Sequence, residues 1–319
     1  MKTLLGAALA LMCCTTALAQ TYPDKPIRIV APFAPGGNVD ITARAIGQAL
    51  SEVLGATVVI DNRAGAAGLI GADLVAKSPP DGYTILLGSN GPLSIGPVLY
   101  PKIAYDAQKD FAAISMLSIT PLAIVAHPSI PARNVKEFIA LLKARPGKLT
   151  MASSGTGTSN HLAGELFQNM TGTKMIHVPY KGSGPALVDL IGGQVDLLFD
   201  QLSSSGPHIR AGKLRALAVT TEKRSPQFPE LPTIDESGLK GYEASTFAAL
   251  LAPAGTPKDI IARLNAAIQK ALGSAFIKDR FAQLGSEPAG GTPEQFAAVL
   301  AKDSAKWAKV IRAAGIKLE

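Results

Sequence analysis

The sequence is poor in cysteine. Its two cysteines among 319 residues, Cys13 and Cys14, fall in an N-terminal stretch with the form of a secretory signal peptide. That stretch has one basic residue near its start, an apolar run over residues 4–12, and small residues just before position 20. The run is too short for a transmembrane anchor, which needs about 20 apolar residues. We therefore predict a signal peptide over residues 1–19, cleavage after Ala19, and an exported mature chain without disulfides.

The sequence also lacks the usual marks of metal, nucleotide and nucleic-acid sites. Its four histidines lie far apart in the sequence, so we expect no metal site. No Gly-Lys pair is followed by Ser or Thr, which excludes a P-loop, and the glycine clusters do not have the G-x-G-x-x-G spacing of a dinucleotide site. The net charge of +7, from 31 basic and 24 acidic residues, is scattered along the chain. We therefore expect no nucleic-acid partner and no cofactor.

An enzyme is disfavoured, but one arrangement stays open. No serine has the G-x-S-x-G frame of an α/β-hydrolase nucleophile. A catalytic set can also form from residues far apart in sequence, and Ser154, His161 and Asp200 could form one. We predict no enzymatic activity and keep an exported hydrolase of a small ester as the alternative.

What the sequence does contain is an alternation of apolar strands and helical periods. With 47% hydrophobic residues the chain can build substantial cores, and its length suggests two domains. Strand-then-helix alternation predicts an α/β fold with mostly parallel sheets. An apolar run predicts a strand over residues 122–126, after which the pattern restarts and includes a helix predicted to begin at Pro207. Three helices follow a last apolar strand that begins at Ser245. The last of them, predicted over residues 293–314, has an apolar stripe at three-to-four spacing that we expect to pack on domain 1: Phe296, Leu300, Trp307 and Ile311. We predict a discontinuous domain 1 (20–124 and 245–319) and a domain 2 (125–244).

Two strand-to-helix junctions, residues 33–40 and 152–160, have similar chemistry and fall one in each predicted domain. Glycines in both allow close approach of the backbone, and the following helix presents free N–H groups and a partial positive charge. Such a terminus binds carboxylate or phosphate without lysine or arginine. Loops of this kind lie at the carboxyl ends of strands, where open α/β sheets bind their ligands. The two loops could hold a carboxylate from opposite sides of a cleft.

The same loops carry a family resemblance. The runs PFAPGGNVD (32–40), DNRAGAAG (61–68), PDGYT (80–84), SSGTGT (153–158) and HVPYKG (177–182) are together similar to the Bug family, the periplasmic solute receptors of tripartite tricarboxylate transporters. RALAVT (215–220) and APAGTP (252–257) extend the resemblance over essentially the whole mature chain. The resemblance implies a periplasmic-binding-protein (Venus flytrap) fold, in which two α/β domains close on a small carboxylate.

The family's ligand contacts can be carried over position by position. In domain 1 the resemblance implies contacts from Phe33, Gly36, Gly37, Asn38, Asp40, Ser89 and Asn90. In domain 2 it implies contacts from Ser153, Ser154, Gly155, Gly157, Thr158, Tyr180 and Asp200. Phe247 stands where many members show a Trp-x-Gly-like sequence, and position 38 varies in the family, so ligand identity does not transfer. Asp40 has an alternative role, because a carboxylate in the first turn favours the helix dipole and can pair with Arg44.

The sequence therefore predicts an exported, monomeric solute-binding protein of the periplasm. It would capture a small carboxylate between its domains and deliver it to integral-membrane transporter subunits. We expect a hinge near residues 123–127 and 243–247. A receptor that signals to a sensor protein instead of feeding transport is an alternative. Whether the ligand is a dicarboxylate, a tricarboxylate, an acidic amino acid or an aromatic acid stays open.

Overall fold

The first part of the chain alternates strands and helices, as predicted. The structure, a computed structural model, describes residues 22–316, so the predicted signal peptide lies outside the described residues. The elements are β1 (Ile27–Ala31), α1 (Asn38–Leu54), β2 (Val58–Asn62), α2 (Leu69–Ala76), β3 (Thr84–Gly88), a π-helical turn (Gly91–Ile95) and α3 (Gly96–Leu99). Helix α1 buries Ile46 and Leu50, one turn apart, and ends where Gly55 takes a left-handed φ of 65°.

The middle of the chain begins with a strand much longer than predicted. Strand β4 runs from Phe111 to Ala126, whereas the apolar pattern predicted only residues 122–126. It is followed by α4 (Val135–Ala144), β5 (Thr150–Ser153), α5 (Ser159–Thr171), β6 (Ile176–Pro179), α6 (Ser183–Ile191), β7 (Leu197–Gln201), α7 (Leu202–Arg210) and β8 (Arg215–Val219). Helix α7 starts directly after β7, although the sequence suggested a start at Pro207, which instead lies inside the helix.

The last part of the chain contributes one long strand and three helices. These elements are β9 (Ser245–Pro253), α8 (Lys258–Gly273), α9 (Ala275–Gln283), the short β10 (Glu287–Pro288) and α10 (Pro293–Ala314). The Thr292 hydroxyl oxygen caps α10 by accepting from the backbone N–H of Gln295, and the backbone N–H of Thr292 donates in return to Gln295 Oε1.

The strands form one continuous mixed sheet in the order β2-β1-β3-β9-β4-β7-β5-β6. The outer pairs β1–β2, β1–β3, β5–β6 and β5–β7 are parallel, while the pairs made by the two long strands are antiparallel. The α/β prediction is confirmed, but parallel pairing is confined to the flanks because β4 and β9 cross the middle of the molecule. We call the part built on β1–β3, β9 and β10 the first lobe and the part built on β5–β8 the second lobe.

Strand β4 passes from one lobe to the other between two consecutive residues. Pro121 pairs with Ser245 of β9, and Leu122 pairs with Gln201 of β7. The passage is two residues earlier than the predicted hinge segment 123–127. Buried Thr220 ties the crossing chains together, since its hydroxyl donates to the carbonyl oxygens of Leu122 (3.0 Å) and Ala244 (2.6 Å). The predicted domain boundaries themselves stay predictions.

The C-terminal helix α10 packs on both lobes. Phe296 and Leu300 belong to a core cluster of the first lobe, whereas Trp307 and Ile311 belong to a cluster dominated by second-lobe residues such as Phe167. The predicted apolar stripe is therefore buried, but it spans the two lobes. Within residues 22–316, no helix has the length and apolar character needed to cross a membrane.

Candidate functional site

The two lobes enclose a small polar cavity at the carboxyl ends of their strands. Its volume is about 20 Å³, room for about one water molecule. The cavity is lined by Phe33, Gly37, Asn38, Val39, Ser89, Gly91, Ser154, Thr158, Ser159, Asn160, Ser183, Gln201 and Thr246. A dicarboxylate occupies more space than this.

Four helices of the described part of the chain begin at this cavity. N-terminal or capping residues of all four belong to the lining, namely Gly37 and Asn38 of α1, Thr158 and Ser159 of α5, Ser183 of α6, and Gln201 before α7. Within the described residues, no side chain caps the starts of α1, α6 and α7. The first amides of a helix have no partner within it, and each N-terminus carries roughly half a positive charge. The arrangement surrounds the cavity with donors suited to an anion.

Among the described residues, the cavity-lining side chains carry no formal charge. The polar ones are hydroxyls and amides, which can donate to a carboxylate without forming an ion pair. Ser154 and Asn160 are linked to each other, since the Ser154 hydroxyl donates to Asn160 Oδ1 at 2.6 Å. The electropositive character of the cavity therefore comes from backbone dipoles and not from lysine or arginine.

Asn38 has a buried donor at the cavity. The residue is 4% exposed, and its Oδ1 accepts from the hydroxyls of Ser203 (2.6 Å) and Thr120 (3.5 Å). Its Nδ2 has no hydrogen-bond partner within the described part of the chain. Because Ser203 belongs to the second lobe, the same contact joins the lobes and fixes the direction of the amide. A buried donor without a partner is costly.

Two histidines, His161 and His177, contact the loop after β5 and stabilise it. Gly155 N donates to Ser153 Oγ at 3.1 Å and Gly157 N donates to His161 Nδ1 at 3.2 Å, so both predicted backbone donors are satisfied inside the loop. His177 Nε2 lies 2.6 Å from Ser153 Oγ, and its ring stacks on His161 with centroids 4.1 Å apart. Burial lowers the pKa of His161 to about 3, and the neighbouring His177 adds to the effect. Burial also lowers the pKa of His177 to about 4.

The loop after β1 is shaped by Asp40, which is not one of the residues that line the cavity. Its carboxylate accepts from Gly36 N (3.0 Å), pairs with Arg44 (2.9 Å) and accepts from Asn62 Nδ2 (3.0 Å). Burial alone would raise the pKa of the Asp40 carboxyl, but the hydrogen bonds from Arg44, Gly36 and Asn62 hold that pKa below its ordinary value. Of the two roles predicted for Asp40, these contacts correspond to the structural one.

Direct contacts between the lobes hold the cavity closed. Ala34 N donates to the Lys181 carbonyl at 3.0 Å, and the Tyr100 hydroxyl donates to the Thr156 carbonyl at 2.8 Å. At Gly184 the approach is so close that an added Cβ would stand 2.0 Å from the carbonyl oxygen of Pro35. The loop ahead of α1 and the start of α6 therefore meet backbone to backbone.

Asp200 lies just behind the lining at the end of β7. It is fully buried, accepts from Ser204 Oγ at 2.6 Å and from Asn160 Nδ2 at 3.2 Å, and so supports a residue that does line the cavity. Burial raises the pKa of the Asp200 carboxyl to about 6, against hydrogen bonds from Ser183, Ser204 and Asn160 that lower it.

The predicted site residues divide into a lining group and a supporting group. The residues at the cavity wall are Phe33, Gly37, Asn38, Ser89, Ser154 and Thr158. Those that lie outside the wall are Gly36, Asp40, Asn90, Ser153, Gly155, Gly157, Tyr180, Asp200 and Phe247. In the supporting group, Asn90 Oδ1 accepts from Thr246 Oγ1 at 2.6 Å, Tyr180 donates to Asp189 at 2.6 Å, and Phe247 packs on Phe296.

Sequence reasoning missed several residues of the wall, above all Ser183, Gln201 and Thr246. Ser183 had a usable signal, since Lys181-Gly182-Ser183 opens a helix after a strand as the other two loops do. No comparable sequence signal marks Gln201, because glutamine is not a favoured residue at a helix N-cap. Thr246 is placed by its contact with Asn90, which lies 156 positions away in the chain.

The serine, histidine and aspartate of the open hydrolase alternative are not joined as a catalytic set. Ser154 donates to Asn160, His161 accepts from the Gly157 amide, and Asp200 accepts from Ser204 and Asn160. No hydrogen bond between Ser154 and His161 is present in the described residues. Residues 22–316 also contain no group of three or more His, Cys, Asp or Glu that could hold a metal ion.

Two α/β lobes that close on a polar cavity, with helix N-termini facing it from both sides, define a solute-binding protein. The chain belongs to the tripartite tricarboxylate transporter family receptors, whose family model matches residues 42–316. It is 43% identical over 302 residues to the protein BugT of Bordetella pertussis, an alignment that covers 94% of this chain and 93% of BugT. The predicted family resemblance is thus confirmed.

Solved structures of relatives share the architecture. A protein of R. palustris solved with adipate superposes with a TM-score of 0.91 at 40% identity, covering 93% of this chain and 99% of that one. The periplasmic binding protein BugD superposes with a TM-score of 0.91 at 38% identity, covering 93% of this chain and all (100%) of that one. The predicted binding-protein fold is confirmed by this likeness.

Proposed function

We propose that this chain is an exported receptor that captures one small carboxylate between its two lobes. The observation that carries the proposal is that, in residues 22–316, four helix N-termini meet at a cavity whose lining side chains are uncharged. Neutral donors fixed by the backbone suit a carboxylate, because they supply partial positive charge without lysine or arginine. That a relative of 40% identity was solved with adipate supports the same ligand class.

The binding step would be a closure of the lobes. Domain 1 (20–124 and 245–319) and domain 2 (125–244) would rotate about the two crossing chains that Thr220 ties together. The loop contacts between Ala34 and Lys181 would form on closure, as would the hydrogen bond between Asn38 and Ser203. The closed surface is then what a partner would recognise.

The partner would be the integral-membrane part of a tripartite tricarboxylate transporter, to which the receptor delivers its ligand. Family membership supports this role, and the signal-peptide pattern of residues 1–19 supports export to the periplasm. The receptor would act as a monomer. Binding without turnover is the expected behaviour.

The test is a thermal-shift panel on ligand-stripped protein with dicarboxylates, tricarboxylates, acidic amino acids, aromatic acids and neutral sugars. A ligand at 100 times its Kd stabilises by about 2.7 kcal/mol, enough to move Tm by several degrees. The expected result is a shift with one class of carboxylate that is reduced in Gly37→Val. Gly37 has φ −91° and ψ 171°, so valine fits its backbone, but an added Cβ would lie 3.3 Å from Ser183 N across the cavity.

Absence of a shift with every carboxylate would refute the proposal. Release of product from a chromogenic ester, lost in Ser154→Ala, would favour the hydrolase instead. Pull-down of the transporter's membrane subunits only in the presence of the ligand would separate delivery from signalling.

A further inference from the structure

The side chain of Asn90 connects the cavity wall to helix α10. Its chain neighbours Ser89 and Gly91 both line the cavity, whereas Asn90 itself is 1% exposed and lies outside the lining. Asn90 Oδ1 accepts from the hydroxyl of Thr246, a third lining residue, at 2.6 Å and from Phe247 N at 3.1 Å. Asn90 therefore fixes the wall where the segment after β3 meets the start of β9.

The partners of the Asn90 amide allow only one orientation of the group. The backbone N–H of Phe247 can only donate, so Asn90 Oδ1 must face it. Asn90 Nδ2 then donates to Oδ2 of Asp303, a partly buried carboxylate on α10, at 2.9 Å. A flipped amide would place its NH₂ group against the Phe247 N–H, donor against donor. Asp303 and Phe247 thus hold the Asn90 amide from its two ends.

The same turn of α10 also holds the chain that leads into β9. Lys306, three residues after Asp303, pairs with Glu243, and the Ser245 hydroxyl donates to Glu243 at 3.0 Å. Trp307, the next residue of the helix, is fully buried in the cluster dominated by second-lobe residues. Because both neighbouring contacts fix this turn, the Asp303 carboxylate has a defined position from which to orient Asn90.

Loss of the Asp303 carboxylate would leave the Asn90 donor without a partner. Among the described residues, Asn90 Nδ2 donates to Asp303 alone. A buried donor that loses its acceptor carries the full cost of its lost hydration. Any movement of Asn90 that relieves this cost would disturb its bond to Thr246 and the positions of Ser89 and Gly91 beside it.

We infer that Asp303 is a positioning residue of the binding site, which orients Asn90 and thereby holds Ser89, Gly91 and Thr246 in place at the wall. The inference rests on the proposed function and adds a residue to it that lies outside the cavity lining. Asp303 acts on the ligand only through these wall residues.

The first test is isothermal titration of the ligand-stripped full chain with succinate, glutarate and adipate. Asp303→Leu and Asp303→Ala both remove the acceptor, and each should lower the affinity for every carboxylate that binds wild type about 10-fold. Asp303→Asn keeps an acceptor oxygen for Asn90 and should stay within threefold of wild type. The control is Ile311→Ala, which truncates a buried side chain of the same helix and should also stay within threefold.

The second test needs no ligand. Because the N–H of Phe247 donates to Asn90 Oδ1, its hydrogen exchange reports whether Asn90 is held in place. In ligand-free protein labelled at the phenylalanine nitrogens, Asp303→Leu should make the Phe247 amide exchange about 10-fold faster. Asp303→Asn and Ile311→Ala should leave its exchange unchanged, and the Phe167 amide in α5 serves as the internal control in every variant.

The outcomes separate positioning from a general effect on stability. Wild-type affinity in both Asp303→Leu and Asp303→Ala would overturn the inference, whatever their thermal transitions. An equal loss of affinity in Ile311→Ala would also overturn it, since the effect would then come from loosening of α10, and so would unchanged exchange at Phe247. If none of the three carboxylates binds the wild-type chain, the proposed function fails, while the exchange of Phe247 still decides whether Asp303 holds Asn90.

Discussion

Gly184 provides the sharpest test of closure, because alanine there should disturb the closed arrangement alone. Gly184 is the second residue of α6, and its backbone is one that alanine adopts without strain. An added Cβ would lie 2.0 Å from the carbonyl oxygen of Pro35, which belongs to the other lobe. Within the second lobe, Gly184→Ala should slightly stabilise α6, since alanine exceeds glycine in helix propensity by up to about 1 kcal/mol.

The expected loss of ligand affinity in Gly184→Ala follows from the 2.0 Å distance between the added Cβ and the Pro35 carbonyl oxygen. A carbon and a carbonyl oxygen approach to about 3.3 Å, so the loop at Pro35 must retreat by about 1.3 Å. That retreat breaks the hydrogen bond from Ala34 N to the Lys181 carbonyl, now 3.0 Å long, and loosens the one from Ser203 to Asn38. Each such bond contributes about 0.5–1.5 kcal/mol, so the loss of two should weaken closure by about 1–3 kcal/mol. The affinity for ligand should then fall about 5- to 150-fold.

The assay is isothermal titration with succinate, glutarate and adipate, together with thermal unfolding of the ligand-free protein. We expect the affinity to fall while the ligand-free Tm stays within a few degrees of wild type. Gly273→Ala is the matched control, because an added Cβ there meets no atom within 4 Å. Wild-type affinity in Gly184→Ala would show that binding does not require the closed contact between Pro35 and α6.

Other expectations concern stability and closure. Trp307→Ala should cost about 3–5 kcal/mol in a denaturant titration, because this fully buried ring anchors α10 in the second lobe's cluster; a loss under 1 kcal/mol would contradict that role. His161 has a folded-state pKa of about 3 and His177 one of about 4, both below the 6.5 of the unfolded chain, so the unfolded state binds more protons and each histidine should lower stability by about 2 kcal/mol between pH 7 and pH 5. His161→Gln should remove only the His161 share of that pH dependence, and an unchanged slope would refute the assignment. Tyr100→Phe removes the hydrogen bond to the Thr156 carbonyl and should weaken ligand binding about 2- to 10-fold. Equal affinity of Tyr100→Phe and wild type for the ligand would contradict this expectation.

The positions of the first two loops could be predicted from sequence because their signals are local. A strand, a glycine-containing turn and an amphipathic helix predict where α1 and α5 begin, and both starts lie at the cavity. The start of α7 could not be predicted in the same way. Gln201 is a poor cap and Pro207 is typical of a first turn, so the local pattern indicated a later start.

The sequence could not predict which site residues line the cavity and which support the lining, because this depends on the hydrogen-bond partner of each polar group. Gly155 and Gly157 were predicted as donors, yet their amides are used by Ser153 Oγ and His161 Nδ1. A glycine-rich loop determines where its backbone N–H groups can point. Whether each N–H group remains free to bind a ligand depends on the rotamers of other side chains, which can accept its hydrogen bond instead. For the same reason the length of β4 was missed, since its pairing with β9 is set by residues more than a hundred positions away.

Holding a carboxylate with helix termini has a consequence for release under the proposed function. An arginine clamp would keep its ion pair with the ligand on whichever lobe carried it. Here α1 belongs to one lobe and α5, α6 and α7 to the other, and Asn38 is oriented by Ser203 across the cleft. Opening therefore divides the donor set, removes the support of the Asn38 amide and exposes the ligand to water in one movement. A membrane partner that pulls the lobes apart would need to overcome only the closure contacts for the ligand to leave.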